Sequence, residues 1–341
     1  MSDTRRYVRQ ARGRQGQLAL VLVLCFGVAL GAAGFLTRAA AQISSEDAGT
    51  DSWTAPTTPW GDPDLQGIWD YRTLTPLQRP EEFADRTVAT EEEAAEYETR
   101  ANAVRDARTT VHAVWWLDYG RELTSDRRTS LIIDPPDGRI PETTEAAKAR
   151  AGARRERAQQ HPAAGPTFRS LTERCINFGM PPVPGPYNNN YLIVQTPDHV
   201  VLFSEMIHDA RIVALDGRDR PADDVRLWSG VARGHWEGDT LVVVSTHFSD
   251  RAAPRGSTAG LRLEERLTRV GPETIRYSAT LTDPETWTRP WTFAMPMTRT
   301  DQPPYEYACH EGNYGLRNIL HNARYAEDPD YLSKLPSPPA K

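Results

Sequence analysis

The sequence predicts a mainly β protein, an up-and-down antiparallel barrel with two charged helices at its periphery. Three observations lead there. From Tyr187 to about Thr300, short stretches alternate apolar and polar residues with hardly any helical period. Turn formers separate those stretches, as at Pro197-Asp198, Asp216-Gly217, Glu237-Gly238-Asp239, Gly271-Pro272 and Asp283-Pro284. The two segments that do read as helices are charged on nearly every face, so neither can lie deep in a core.

Taken in order, residues 1–17 carry Arg5, Arg6, Arg9, Arg12 and Arg14, and Leu18 to Leu36 contain no charge. A basic stretch followed by an apolar run, with Ala39, Ala40 and Ala41 after it, reads as a signal peptide cleaved near Gln42. Left uncleaved, the same run is long enough to anchor the chain in a membrane. Either way the arginines hold the N-terminus in the cytoplasm, so the remainder is expected to be periplasmic or secreted. Removing residues 1–41 takes away six Arg and one Asp, and the formal charge moves from −6 to −11. So acidic a chain is a poor partner for nucleic acid. Its contact with a membrane is expected only through the N-terminal segment. The mean hydropathy of −0.59 excludes a polytopic membrane protein. Beyond the leader, which holds Cys25, two cysteines remain, Cys175 and Cys309. An oxidising compartment favours their pairing; two buried free thiols are the alternative.

Residues 42–64 are polar and Pro-rich and read as a flexible linker. A single barrel domain is expected over 65–325, with a helical insertion at about 90–160 and a polar, Pro-rich tail over 326–341. Gly67-Ile68-Trp69-Asp70-Tyr71 is the first strand-like string. Thr90-x-x-Glu93 is a capping box that opens a helix through about Arg108, and a second helix covers about Glu142 to Gln159. Eight further strands follow: Tyr191–Thr196, Val200–His208, Arg211–Leu215, Val231–Trp236, Thr240–His247, Leu261–Val270, Thr274–Leu281 and Trp287–Met297. Closing nine sequential strands into a barrel removes the exposed edges of an open sheet. Leu261, Leu263, Glu265 and Leu267 share one face, and Glu265 is the odd member of that row. A lone buried carboxylate costs several kcal/mol, so either a cation waits inside the barrel or the row meets water.

Several blocks resemble a numerous group of exported bacterial proteins. They are Asp64-Leu65-Gln66-Gly67-Ile68-Trp69, Tyr187-Asn188-Asn189-Asn190-Tyr191, Glu205-Met206-Ile207-His208-Asp209-Ala210-Arg211, Trp236-Glu237-Gly238-Asp239-Thr240, Trp287-Thr288-Arg289-Pro290-Trp291 and Tyr305 through Asn313. That resemblance spans most of residues 60–320 and carries no reaction with it. Gly67-Ile68-Trp69 is also similar to the Gly-x-Trp opening of lipocalins, which implies a calycin-like barrel that holds a small ligand.

Three constellations could carry chemistry. In the corner from Glu205 to Arg211, His208 could act as acid or base, oriented by Asp209 or Glu205, with Arg211 holding an anion. The same residues also suit a tight turn in which Asp209 caps the reversal and Arg211 pairs with Glu205. Asn188, Asn189 and Asn190, flanked by Tyr187 and Tyr191, could line a polar pocket, or could form Asx-turns with their own backbone. Tyr305, His310, Glu311 and Asn313 surround Cys309 and form a polar cluster near the end of the chain. The row Trp287, Trp291, Phe293, Met295 and Met297 is either core or the wall of an apolar pocket. Glu265 and Trp291 therefore join the expected ligand-binding set.

The chain contains no H-x-x-x-H, H-E-x-x-H or C-x-x-C, no G-x-S-x-G elbow and no dinucleotide fingerprint. Metal and cofactor identity stay unknown on these grounds. The expected function is an exported barrel that binds a small molecule through an aromatic wall and a polar mouth. Two alternatives stand beside it: a periplasmic lyase, isomerase or hydrolase using His208, with or without the help of a metal, and a structural envelope protein without a pocket.

Overall fold

The computed structural model describes residues 53–84, 86–108, 117–161, 163–251 and 254–335. The expected leader or anchor and most of the linker lie outside these residues. Nine strands close into a barrel: β1 (Gly67–Asp70), β3 (Asn190–Gln195), β4 (His199–Ser204), β5 (Asp209–Ala214), β6 (Val231–Glu237), β7 (Thr240–Thr246), β8 (Arg262–Gly271), β9 (Thr274–Thr282) and β10 (Trp291–Thr300). Closure is made by β1, which pairs with β3 on one side and β10 on the other. A short strand β2 (Ile132–Asp134), which the alternation did not announce, extends the sheet beside β10.

The barrel follows chain order, but one junction departs from the antiparallel expectation. Strand β5 meets β6 in parallel, through the single pair Ala214 and Arg233. Residues 215–230 make this possible, because a parallel connection needs a dozen or more residues to return the chain to its starting end. Asp216-Gly217 thus begins a long crossover rather than a hairpin. Gly234 sits at this junction, where a Cβ would meet Val213 Cγ1 at 2.7 Å and Leu215 Cδ2 at 2.8 Å. A side chain there would push the two strands apart.

Side chains fill the interior. Trp69, Ile193, Leu202, Leu241, Tyr277, Trp291 and Phe293 are all fully buried, and they belong to one continuous core. The row containing Trp291 is therefore core, with Trp287 and Trp291 packed edge to face at 5.6 Å.

Helix α1 (Glu91–Arg108) opens as the capping box requires. Thr90 N donates to Glu93 Oε2 at 2.9 Å and Glu93 N to Thr90 Oγ1 at 3.2 Å. It rests on a small separate cluster of Leu74, Phe83, Ala89, Ala94 and Leu123. Helix α2 (Glu145–Gln160) starts later than expected, because Thr144 caps it by accepting from Ala147 N. Of α2 only Ala147 is buried, so both charged helices are peripheral.

Two stretches differ from the sequence reading. Residues 54–64 fold onto the barrel instead of hanging free: Thr57 bridges Pro63, and Gln195 Nε2 donates to the Pro63 carbonyl at 3.0 Å. A third helix, α3 (Tyr314–Glu327), is capped by Asn313 and reaches into the stretch read as tail. Among the described residues no helix is long and apolar enough to cross a membrane.

Candidate functional site

Strands β1, β3, β4 and β5 end at a common level, where Asp70 faces Asn190, Tyr191 faces Ser204 and Ser204 faces Asp209. A cavity of about 230 Å³ opens there. Tyr71, Tyr191 and Arg211 form its inner side, Ser204, Met206 and Asp209 one wall, and the segment from Asn177 to Val183 the other. Arg255 stands exposed at the rim.

Beneath the cavity lies the cation that Glu265 needed. Arg211 grips Glu265 with both guanidinium nitrogens, Nη2 reaching Oε1 at 2.9 Å. Tyr277 Oη donates to the same Oε1 at 2.6 Å, and Arg211 Nη2 lies 3.4 Å from Tyr191 Oη. A buried pair survives only when its remaining polar atoms are also satisfied, and the two phenols supply that here. Burial alone would lower the Arg211 pKa, but Glu265 overrides it and carries the value well above the ordinary one. Burial pushes Tyr191 up to about 12 and moves Tyr71 and Tyr277 in the same direction. At neutral pH these phenols are neutral hydrogen-bonding groups and do not act as bases.

The corner between β4 and β5 is a tight reversal. Ile207 and His208 both have positive φ, +60° and +45°, which removes the strand alternation there. A β-branched residue in that region is strained, and such strain concentrates at functional corners. Glu205 is buried and accepts from Tyr305 N at 2.8 Å and Asn190 Nδ2 at 2.7 Å. Asp209 Oδ2 accepts from Asn177 Nδ2 at 2.8 Å and Ser229 Oγ at 3.0 Å. Neither carboxylate orients His208 among the described residues. The His208 ring instead lies exposed, with Nδ1 at 2.7 Å from the Tyr307 carbonyl. A carbonyl can only accept, so Nδ1 carries the proton and Nε2 is left as the basic nitrogen, outside the cavity.

The three asparagines of the run serve three different tasks. Asn189 is a loop clamp, accepting from Gly185 N and donating to the Asp118 and Gly185 carbonyls. Asn190 holds Glu205, while Asn188 has a φ of +55° and turns the chain. Tyr187 stacks on Tyr307 at 6.4 Å, and of this block only Tyr191 reaches the cavity. Trp291 is sealed in the core and Tyr305 is 70% exposed. His310, Glu311 and Asn313 are exposed, and Asn313 caps α3. Of the expected ligand-binding and catalytic residues, the structure thus gathers Tyr191, Asp209 and Arg211 at the cavity, with Glu265 behind them.

Tyr71, Asn177, Ser204 and Arg255 complete the site and were missed by sequence reasoning. Tyr71 could have been found as the residue that ends the first strand string; Asn177 and Arg255 give no local signal. Cys175 and Cys309 form a disulfide with a Cα separation of 5.6 Å. Among the described residues no three His, Cys, Asp or Glu side chains are placed to share a metal ion.

Two polar groups on the cavity lack partners among the described residues: the Arg255 guanidinium and Asp209 Oδ1. The arrangement can therefore offer a positive donor and a negative acceptor to one occupant, over an aromatic floor. Compared with known proteins, the chain matches no family model, no curated protein and no solved structure.

Proposed function

We propose that this is an exported protein, periplasmic or secreted and a member of the exported group it resembles, that binds a small polar molecule at the mouth of its barrel. One observation carries the reading. Arg255 and Asp209 Oδ1, both without partners among the described residues, border the same cavity of about 230 Å³. That volume matches the share of liquid held by roughly seven or eight waters and lies below the usual range for drug-sized ligands, so the occupant is a small metabolite. Tyr71, Phe178 and Tyr191 supply the aromatic wall. The disulfide supports an oxidising location.

The enzyme alternative finds less support, because His208 does not line the cavity and has no orienting carboxylate among the described residues. Native mass spectrometry of the chain isolated from a periplasmic extract tests the proposal. An organic adduct is expected on the wild type, kept in His208→Ala and lost in Arg255→Gln and Ser204→Phe. An adduct that survives Ser204→Phe undiminished, or a chain that never carries or takes up any small polar ligand, overturns it.

A further inference from the structure

A second concavity, of about 390 Å³, lies where α3 faces the segment that carries Cys175. Its floor comes from one stripe of the helix. Leu316, Arg317, Leu320, His321 and Arg324 recur at helical spacing and all line the groove. Arg174 and His310 also line it. These two are far apart in sequence, but Arg174 immediately precedes Cys175 and His310 immediately follows Cys309. The disulfide therefore fixes both side chains at one place.

The charge of this groove is one-sided. Three arginines and two histidines line it with no Asp or Glu, in a chain whose net charge is −6. None of the three arginines reaches a carboxylate among the described residues. Arg174 lies over the Trp228 ring at 5.4 Å, Arg324 Nη1 donates to the Leu320 carbonyl, and Arg317 Nε donates to His321 Nε2 at 3.2 Å. Accepting at Nε2 leaves the His321 proton on Nδ1, and that atom is buried without a partner. Like charges held together without counter-charge repel one another, and a bound anion offsets that repulsion by adding an attraction to each of them. Leu316 and Leu320 give the same groove an apolar floor between the arginines.

We propose that this groove is an anion site for a phosphate group, presented either free in solution or on an amphiphile whose apolar part lies on Leu316 and Leu320. Guanidinium forks match the paired oxygens of phosphate, which a lone ammonium would not. The site is independent of the barrel cavity and of what that cavity binds.

The test uses the full exported chain with its disulfide intact. Inorganic phosphate is titrated calorimetrically, and vesicles of phosphatidylglycerol are compared with vesicles of phosphatidylcholine in co-sedimentation. Phosphate or phosphatidylglycerol binding is expected, weakened at least tenfold in Arg317→Gln/Arg324→Gln and unchanged in Arg154→Gln on the exposed face of α2. Binding of phosphate alone identifies a soluble ligand, and binding of phosphatidylglycerol alone identifies a lipid headgroup. Should the double variant fail to fold, Arg174→Gln on the opposite wall carries the same expectation. Reduction of Cys175–Cys309 should weaken binding as well, since it frees Arg174 from His310. A wild-type chain that binds neither probe, or binding that Arg174→Gln and the double variant leave intact, overturns the site.

Discussion

Replacing Glu265 by Gln isolates the charge at the centre of the barrel. The glutamine keeps the shape of the side chain and an oxygen for Tyr277 Oη, but leaves Arg211, only 5% exposed, without its counter-charge. Removing one partner of a buried pair costs about 3–5 kcal/mol, because the other charge stays desolvated. At roughly 2–4 °C per kcal/mol for a domain of this order of size, Glu265→Gln should lower Tm by about 6–20 °C. The double variant Arg211→Met/Glu265→Leu removes both charges and should return stability to within about 1 kcal/mol of wild type. Urea melts with an unchanged m value are the appropriate assay, since they separate lost stability from altered compactness. A Gln variant that loses less than about 1 kcal/mol, or a double variant as unstable as the single, would refute a dry, paired interior and imply water around Arg211.

Three further outcomes follow from the same structure. Opening the disulfide by Cys175→Ser/Cys309→Ser releases a loop of 134 residues and should cost about 5 kcal/mol in the chain-entropy account; alkylation of both thiols in unreduced wild-type protein would show that the bond does not form. Tyr191 has a folded pKa raised by burial from 10.0 to about 12, so its contribution to stability is full below pH 10 and is lost as pH rises through about 12. Tyr71 and Tyr277 shift the same way, and their phenolate absorbance should appear only with unfolding; ionisation near pH 10 with circular dichroism unchanged would contradict their burial. Gly234→Ala places a methyl against Val213 and Leu215 and should destabilise by about 1–3 kcal/mol, read as a drop in urea midpoint.

The barrel was legible because its signals are local. Strand alternation, the hairpin turns at Glu237-Gly238-Asp239 and Gly271-Pro272 and the Thr90–Glu93 capping box each depend on residues only a few positions apart, and these formed as read. Cys175 and Cys309 were legible through compartment and number, which needs no geometry. Glu265 was marked by its own row as wanting a partner, yet nothing in the sequence pointed to Arg211, which lies 54 positions earlier and meets it only across the closed barrel. The parallel β5–β6 junction was hidden in the same way, since a turn pair at Asp216-Gly217 does not reveal where a long connection lands. The strand read through His208 ends at Ser204, because Ile207 and His208 take positive φ.

What the sequence determined by itself is everything carried by short-range periodicity and chemistry: the class, the number of barrel strands, the peripheral helices and the cysteine pair. Only the tertiary structure decided the sites. Asn177, Arg211 and Arg255 meet at one cavity, and Arg174 and His310 at another, because closing the barrel and the disulfide brings distant segments together. A side chain's partner across the fold depends on strand order and stagger, which local patterning does not encode.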